Sequence, residues 1–323
     1  MVKVFATCQL PGDALTRVAE HCELEVWPEL NPVPRAQLLR RLQDCAGLIN
    51  LLTNPLDAEL IAQCAQLQFV SSMSVGVDHV DVAALTARRI PLGNTPGVLV
   101  DTTADLNMAL MLAAARRIPE ADQFVRAGNW SPQQPWHPEM FAGKDLSGAT
   151  LGIVGLGAIG QAVARRAAGF GMRILGWTRS GRAVEGVELV EFGQLLECSD
   201  FLSINVALAE DTRNLIDAAA IARMKPGAIL VNTARGGIVD EQALADALVS
   251  GALYAAGVDV FEREPVNTDN PLLALPNVVL APHIGSATQR TRELMAAMAA
   301  DNMIAALRGD PMPNCVNPEV YHV

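Results

Sequence analysis

Two α/β units, each a parallel sheet with helices on both faces, are what this sequence predicts, on three observations. The chain has 323 residues, about twice the usual length of one domain. Strand-like apolar runs alternate with amphipathic stretches twice, once ahead of about residue 98 and again from Thr150 onward, as in parallel strands joined by crossover helices. One strand-to-helix junction reads G-x-G-x-x-G, at Gly155, Gly157 and Gly160, a turn whose backbone can approach phosphate groups.

Half the residues are hydrophobic and 18% are charged, enough apolar material for two cores. With only 4% aromatic, those cores must be mostly aliphatic. The formal charge of -11 argues against a nucleic-acid partner, which needs basic surface to release counterions. It leaves room for a local basic pocket. None of the six cysteines falls in a C-x-x-C pair, so they are expected to be reduced and mostly buried, as in a cytoplasm. No stretch of about 18 apolar residues suggests a membrane span, and the apolar run in "MVKVFATCQL" is too short for a secretion signal.

In chain order, "KVFAT" (3–7) predicts a strand and "GDALTRVAEHC" a helix entered through Pro11 and Gly12. "LEVW" (24–27) is strand-like, and in "PRAQLLRRLQDC" (34–45) Leu38, Leu39 and Leu42 share one helical face. "GLINLL" (47–52) and "QFVSSMSV" (68–75) predict strands, with the helix "DAELIAQCAQL" between them. "DTTADLNMALMLAAARRI" (101–118) predicts one long helix, capped by Asp101 or Thr102 and stopped by Pro119. The Pro-rich stretch 129–148 has neither period and predicts an extended arm. The second alternation runs through "TLGIV", a helix to about Phe170, "MRILGW", "FLSINV" (201–206), "AILVN" (228–232), "AAGVDV" (255–260) and "VVLAP" (278–282). A last helix, 288–309, precedes a polar tail. The helices 101–118 and 288–309 are the expected connectors.

In the glycine turn, Gly155 makes the tight bend, Gly157 admits a pyrophosphate and Gly160 lets helix and strand pack closely. The free N–H groups of the helix start, those of Ala158 and Ile159, face the anion. A dinucleotide site is the expectation. The next strand commonly ends, about 20 residues on, in an acid that grips a ribose hydroxyl. "ILGWTRS" (174–180) instead puts Thr178, Arg179 and Ser180 there. A carboxylate would repel a 2′-phosphate, whereas Thr178 can hydrogen-bond it and Arg179 can pair with it. NADP(H) is therefore the expected cofactor, with NAD(H) possible.

Hydride transfer to a ketone needs a proton donor active near neutrality, a partner to hold that donor, and a cation for a substrate carboxylate. Of the five histidines, His21 falls in a predicted helix and His322 in the tail. His79 and His137 could be loop ligands, but no second His or Cys stands at metal-like spacing, and no metal is expected. His283 follows "VVLAP", Arg235 follows "AILVNTA" and Glu264 ends "AAGVDVFERE". All three sit at carboxyl ends of parallel strands, where such sheets bind ligands; ordinary polar residues also occur there.

"LVNTARGGIVDEQAL", "AAGVDVFEREP" and "LAPHIGSAT", after "GLGAIG", resemble the signature blocks of the D-isomer-specific 2-hydroxyacid dehydrogenases, over nearly the whole chain. That resemblance implies two Rossmann-like/flavodoxin-like lobes with a cleft between them. The catalytic domain would be 1–98 plus 287–323, and the NADP-binding domain 99–286, including a dimerisation arm at 119–148. By the same resemblance, Arg235 would hold the substrate carboxylate and polarise the carbonyl. His283 would donate the proton in reduction, with Glu264 as its partner. Asp259 would contact the nicotinamide amide, Thr233 and Ala234 would lie near that ring, and Thr103 would face that side. Asn205 and Val206 would edge the adenosine pocket, and Gly285 would join the cofactor contacts. Glu264 also separates the chain from formate dehydrogenases, which carry an amide there.

"SSMSVGVDHVD" resembles the loop whose N–H groups grip a substrate carboxylate, here those of Val75 and Gly76 beside Ser74; a plain turn would explain Gly76 equally. With "HIGSATQRTR" and "NCVNPEV" it resembles the glyoxylate/hydroxypyruvate reductases, above all the bacterial branch that also reduces 2-ketogluconate. There Ser286 and Arg290 would line the substrate cavity, with Leu52 and Met73 at its border. A tryptophan from the partner's arm would close it, Trp136 being the candidate and Trp130 the alternative. The expected activity is NADPH-dependent reduction of glyoxylate and hydroxypyruvate by a homodimer. 2-Ketogluconate or its phosphate is the rival substrate; phosphite oxidation and a dinucleotide-sensing corepressor are more distant alternatives.

Overall fold

A computed structural model describes residues 1–322. It divides into two units, Met1–Leu99 with the chain from Ala287 onward, and Val100–Ser286. In the first, β1 (Lys3–Ala6), α1 (Ala14–Ala19), β2 (Glu23–Val26), α2 (Arg35–Leu42), β3 (Gly47–Asn50), α3 (Ala58–Gln63), β4 (Phe69–Ser72), α4 (Val82–Ala87) and β5 (Leu92–Gly93) alternate. The strands form one parallel sheet of order β2-β1-β3-β4-β5. β3 and β4 are buried along their whole length, as interior strands covered on both faces must be.

The second unit opens with α5 (Val100–Ala115) and α6 (Ile118–Arg126). Then come β6 (Thr150–Val154), α7 (Ala158–Gly169), β7 (Arg173–Trp177), β8 (Glu188–Leu189), α8 (Phe192–Cys198) and β9 (Phe201–Ile204). α9 (Ala218–Ala222), β10 (Ala228–Asn232), α10 (Glu241–Val249), β11 (Leu253–Val258) and β12 (Val278–Leu280) complete it. All its strands are parallel, in the order β12-β11-β10-β9-β6-β7-β8. The direction of winding reverses between β9 and β6, and ligands bind such sheets at that point, beyond the carboxyl ends of the strands. The chain returns to the first unit as α11 (Gln289–Arg308), where Ser71 Oγ of β4 donates to Ala299 O at 2.8 Å.

Aliphatic cores line both faces of each sheet. α3, α4, α9, α10 and α11 start alike: Asp57, Asp81, Asp217, Asp240 and Thr288 each accept the N–H three residues on, at 2.8–3.2 Å. Such a cap satisfies an orphan donor of the first turn. Among the described residues no helix is long and apolar enough to cross a membrane.

Several elements differ from the sequence expectation. The helix expected over 101–118 runs over Val100–Ala115, so Asp101 lies inside its first turn rather than capping it. It ends where the Pro119 ring would meet the carbonyl four residues back, and the Ala115 carbonyl accepts the Lys144 N–H instead, at 2.9 Å. Arg117 turns left-handed (φ 55°) and Pro119 enters the first turn of α6. The arm expected over 119–148 therefore begins as a helix. His21 lies just beyond α1 rather than within it. All six cysteines are free, but only Cys22, Cys45 and Cys64 are buried, fewer than expected. β11 starts at Leu253 and ends at Val258, two residues ahead of the expected strand at each end.

The polar tail also packs. Asn317 is buried; its Oδ1 accepts the Leu92 N–H at 2.8 Å, and its Nδ2 donates to Ile90 O at 3.0 Å and Thr86 Oγ1 at 2.9 Å. Together with the Val316 N–H, which donates to Leu92 O at 2.7 Å, this side chain closes the open edge of the short strand β5. Asn317→Ala is expected to destabilise the first unit by about 2–3 kcal/mol, since it leaves buried partners unpaired. Urea unfolding measures the loss, and a change under about 0.5 kcal/mol, the scale of a surface substitution, would refute the assigned role.

Candidate active site

Gly155, Gly157, Thr178, Arg179, Ser180, Asn205, Val206, Thr233, Ala234, Arg235, Asp259, Glu264 and His283 lie where the chain leaves a parallel strand at its carboxyl end. The turn after β6 is fixed by sterics. Gly155 has φ +96°, and a Cβ there would lie 2.7 Å from Val206 Cγ1 and 2.8 Å from Asn205 O. A Cβ on Gly160 would come within 2.0 Å of Gly155 O, so helix α7 can approach β6 only without a side chain at that position. At Gly157 an added Cβ would meet nothing within 4 Å. The turn is thus closed beneath and open above Gly157, at the start of a helix of 12 residues whose first N–H groups, including those of Ala158 and Ile159, need acceptors. Beside it, Asn205 Oδ1 is buried without a protein partner. An open turn, exposed helix donors and an orphan acceptor fit a dinucleotide.

β7 ends at Trp177, whose ring packs at a tilt against Phe192, 5.1 Å between centroids. Thr178 Oγ1 and Ser180 Oγ lie 3.3 Å apart. Arg179 is ion-paired with Asp211, a contact that nothing in the local pattern foretells.

After β10 the chain carries Thr233, Ala234 and Arg235. The buried Asn232 pins this loop: its Oδ1 accepts the Ala234 N–H at 3.0 Å and its Nδ2 donates to Arg235 O at 2.9 Å. Gly236 follows because a Cβ there would fall 1.8 Å from the backbone of Phe261. The Arg235 guanidinium is half-buried and donates to Ala234 O at 2.8 Å.

After β11, the buried Asp259 carboxylate accepts the N–H groups of Ile284 (2.7 Å) and Gly285 (2.8 Å), and its carbonyl accepts that of His283 (2.8 Å). His283, beyond β12, has φ +54°, a left-handed conformation that is strained for a residue with a side chain. Thr103 Oγ1 of α5 donates to Gly285 O at 3.1 Å. His283 Nδ1 lies 2.6 Å from Glu264 Oε2, and Glu264 Oε1 accepts the Phe261 N–H at 3.0 Å. With Nδ1 engaged by a carboxylate, the proton is held there and Nε2 is the nitrogen that can exchange one with a ligand.

A buried polar chain supports these loops. Asn205 Nδ2 donates to Ser203 Oγ (2.8 Å), Ser203 Oγ to Asn107 Oδ1 (3.0 Å), and Asn107 Nδ2 to Thr233 Oγ1 (2.9 Å). Neither Asn107 nor Asn232 was singled out from the sequence. Their signal was present: an amide inside an otherwise apolar helix, and an amide closing a fully apolar strand.

The remaining candidates lie elsewhere. Leu52 follows β3 and Ser74–Gly76 follow β4, in the smaller unit. Ser74 Oγ donates to Gly76 O at 2.8 Å and lies 2.8 Å from Ser72 Oγ, which in turn meets His79 Nε2 at 3.1 Å. Asn94 Nδ2 donates to Val75 O at 3.0 Å. Arg290 is exposed in the first turn of α11, and Ser286 is the last residue of the larger unit. Trp136 and Trp130 are 71% and 59% exposed. His137 is exposed as well, and among the described residues no group of His, Cys, Asp and Glu could hold a metal ion.

The sequence model of the D-isomer specific 2-hydroxyacid dehydrogenase NAD-binding domain matches residues 108–285. The chain is 49% identical over 325 residues to a glyoxylate reductase of Korarchaeum cryptofilum, covering 99% of this chain and 97% of that one. A glyoxylate reductase of Thermococcus litoralis is 47% identical over 323 residues, with 98% and 97% covered. A solved protein of Thermus thermophilus superposes with a TM-score of 0.92 at 45% identity, over 98% of this chain and 100% of that one. The NADPH-dependent glyoxylate/hydroxypyruvate reductase of Sinorhizobium meliloti, solved with NADP and malonate, gives 0.86 at 32% identity, over 98% and 97%.

Burial alone would raise the Glu264 carboxyl. The His283 hydrogen bond and charge, the Phe261 N–H and the Arg235 charge together outweigh burial and hold that carboxyl below its ordinary 4.5. A carboxyl depressed by folding contributes stability that is present above its unfolded value and is lost as pH falls through the folded one. The stability difference between wild type and Glu264→Gln, read by urea unfolding, is therefore expected to be open in weakly acidic buffer above 4.5 and to close below it. A difference that widens in stronger acid would contradict the pairing.

Proposed function

This chain belongs to the D-isomer-specific 2-hydroxyacid dehydrogenase family, and we propose that it is an NADPH-preferring reductase of glyoxylate and hydroxypyruvate. The observation that carries this reading is the 2.6 Å Glu264–His283 pair, held at the same end of the sheet as Arg235, in a chain whose relatives include glyoxylate reductases. The cofactor, when bound at the glycine turn, supplies the hydride.

The residues of the chain supply the rest. Arg235 pairs with the substrate carboxylate and draws electron density from the adjacent carbonyl, as a guanidinium fork can. His283 Nε2 gives a proton to the carbonyl oxygen as it becomes an alkoxide. Glu264 holds the ring at Nδ1 and so presents Nε2 for the transfer. Ser74, Val75 and Gly76 are assigned to the substrate carboxylate, and Leu52, Ser286 and Arg290 to the substrate tail. Asp259, Thr103, Thr233, Ala234 and Gly285 serve the nicotinamide end, and Asn205 and Val206 the adenosine end. Thr178, Arg179 and Ser180 select the 2′-phosphate. The six free cysteines suit a reducing compartment, and the cytoplasm is the assigned location.

His283→Ala and Arg235→Ala are each expected to lower kcat by at least about a hundredfold with NADPH affinity retained. An NADPH-coupled assay across glyoxylate, hydroxypyruvate and 2-ketogluconate measures this and orders the substrates. Full turnover in either variant would sink the mechanism, a preference for 2-ketogluconate would replace the substrate, and higher kcat/KM with NADH would replace the cofactor.

Val125, Trp130 and Trp136 of the arm, and Ile118 just ahead of it, expose large apolar side chains, more than a solvated surface usually gathers. The arm is therefore assigned to a homodimer in which Trp136 completes the partner's substrate cavity. Light scattering is expected to give twice the chain mass, and Trp136→Ala to raise KM for hydroxypyruvate several-fold, the scale of a lost aromatic contact, with kcat little changed. A monomer with wild-type KM would refute both.

A further inference from the structure

The strand end that lacks its own acid receives one from another loop. The Arg179 guanidinium is ion-paired with the Asp211 carboxylate. Arg179 lies in the loop after β7, and Asp211 in the turn Glu210–Thr212 after β9. β6 lies between those two strands in the sheet. The pair therefore joins the loops on either side of the strand from which the glycine turn departs.

Asp211 rides on a fixed support. Thr212 is buried, and its Oγ1 accepts the Ala209 N–H and donates to Ala207 O, both at 2.7 Å. Just beyond, the N–H groups of Asn214 and Ile216 bond to Gly237 O and Ile238 O at 2.9 and 3.1 Å. The two paired side chains are themselves 65% and 55% exposed, and an exposed ion pair adds little to folding stability. Its consequence is electrostatic: a negative charge rests on the very guanidinium assigned above to the 2′-phosphate.

We propose that Asp211 sets the cofactor discrimination of this chain by competing with the 2′-phosphate of NADP for Arg179. The proposal rests on the assignment of Arg179 to that phosphate. Asp211 Oδ2 takes the Nη1 donor of Arg179, so a phosphate that would use the whole guanidinium fork must displace the carboxylate from that nitrogen. Asp211 also repels a phosphate that approaches the same cation. NAD carries a neutral hydroxyl at that position and feels neither effect. The chain thereby prefers NADP by a smaller factor than Arg179 alone would give, and NAD remains usable.

Isothermal titration of NADP⁺ and of NAD⁺ against wild type, Asp211→Asn, Arg179→Ala and the double variant tests this without turnover. Asp211→Asn is expected to tighten NADP⁺ by roughly two- to fivefold, the scale of an exposed pair, and to leave NAD⁺ affinity unchanged. The gain is expected to vanish in the double variant, because the cation it frees is gone. If Arg179→Ala weakens NADP⁺ while Asp211→Asn leaves the ratio of the two affinities unchanged, the competition is overturned and the phosphate assignment stands. Equal tightening of both cofactors overturns it likewise. Undiminished NADP⁺ binding by Arg179→Ala overturns the phosphate assignment and the competition together.

Discussion

The carboxyl end of the larger sheet, where Arg235, Glu264 and His283 lie, depends on one buried carboxylate, that of Asp259. Its side chain accepts the Ile284 and Gly285 N–H groups and its carbonyl accepts the His283 N–H. Three consecutive donors of one turn therefore end on a single residue of the neighbouring strand's loop. That concentration of bonds lets His283 persist at a positive φ, a conformation that costs on the order of 1–3 kcal/mol and survives only where its surroundings over-determine it. Burial raises the Asp259 carboxyl above its ordinary value, and the two N–H donors and the His283 charge oppose that rise. The resemblance assigned Asp259 to the cofactor; the structure also gives it the work of shaping the histidine's turn. Placement of His283 against Glu264 follows from that turn.

A second set of buried polar groups ties the neighbouring loops together. The chain from Asn205 through Ser203 and Asn107 to Thr233 connects the ends of β9 and β10 by way of α5. Asn232 does the same within the loop that bears Arg235. Amides buried without partners would be costly, and here almost every donor and acceptor is used. Such a network resists rearrangement because breaking one bond strands both groups in a dry interior. Asn205 Oδ1, at the edge of the glycine turn, is the member left without a protein partner.

Much of this was legible in the chain. Alternation of apolar runs and amphipathic stretches marks both parallel sheets, because burial on two faces forces continuous apolar strands. The glycine turn is legible because each of its sterically excluded positions admits only glycine. The strand-end positions of Arg235, Glu264 and His283 could be read directly once the strands were placed. Less legible were features set by distant partners. The Ala115 carbonyl that Pro119 leaves open finds its donor in the Lys144 N–H, and the edge of β5 is covered by the tail through the Val316 N–H and Asn317. Asn107 reads as a minor flaw in an apolar helix until Ser203 and Thr233 are brought against it.

The amino-acid order by itself determined what is local or periodic: the two α/β alternations, the glycine turn and the absence of an acid at the end of β7. These follow from sterics and patterning within a few residues. Tertiary structure alone decided that Asp259 holds the histidine turn, that amides far apart in sequence join into one chain, and that Asp211 meets Arg179. The physical reason is common to all three. Hydrogen bonds and ion pairs are short-ranged, so a residue's role is fixed by whichever group folding brings within about 3 Å of it.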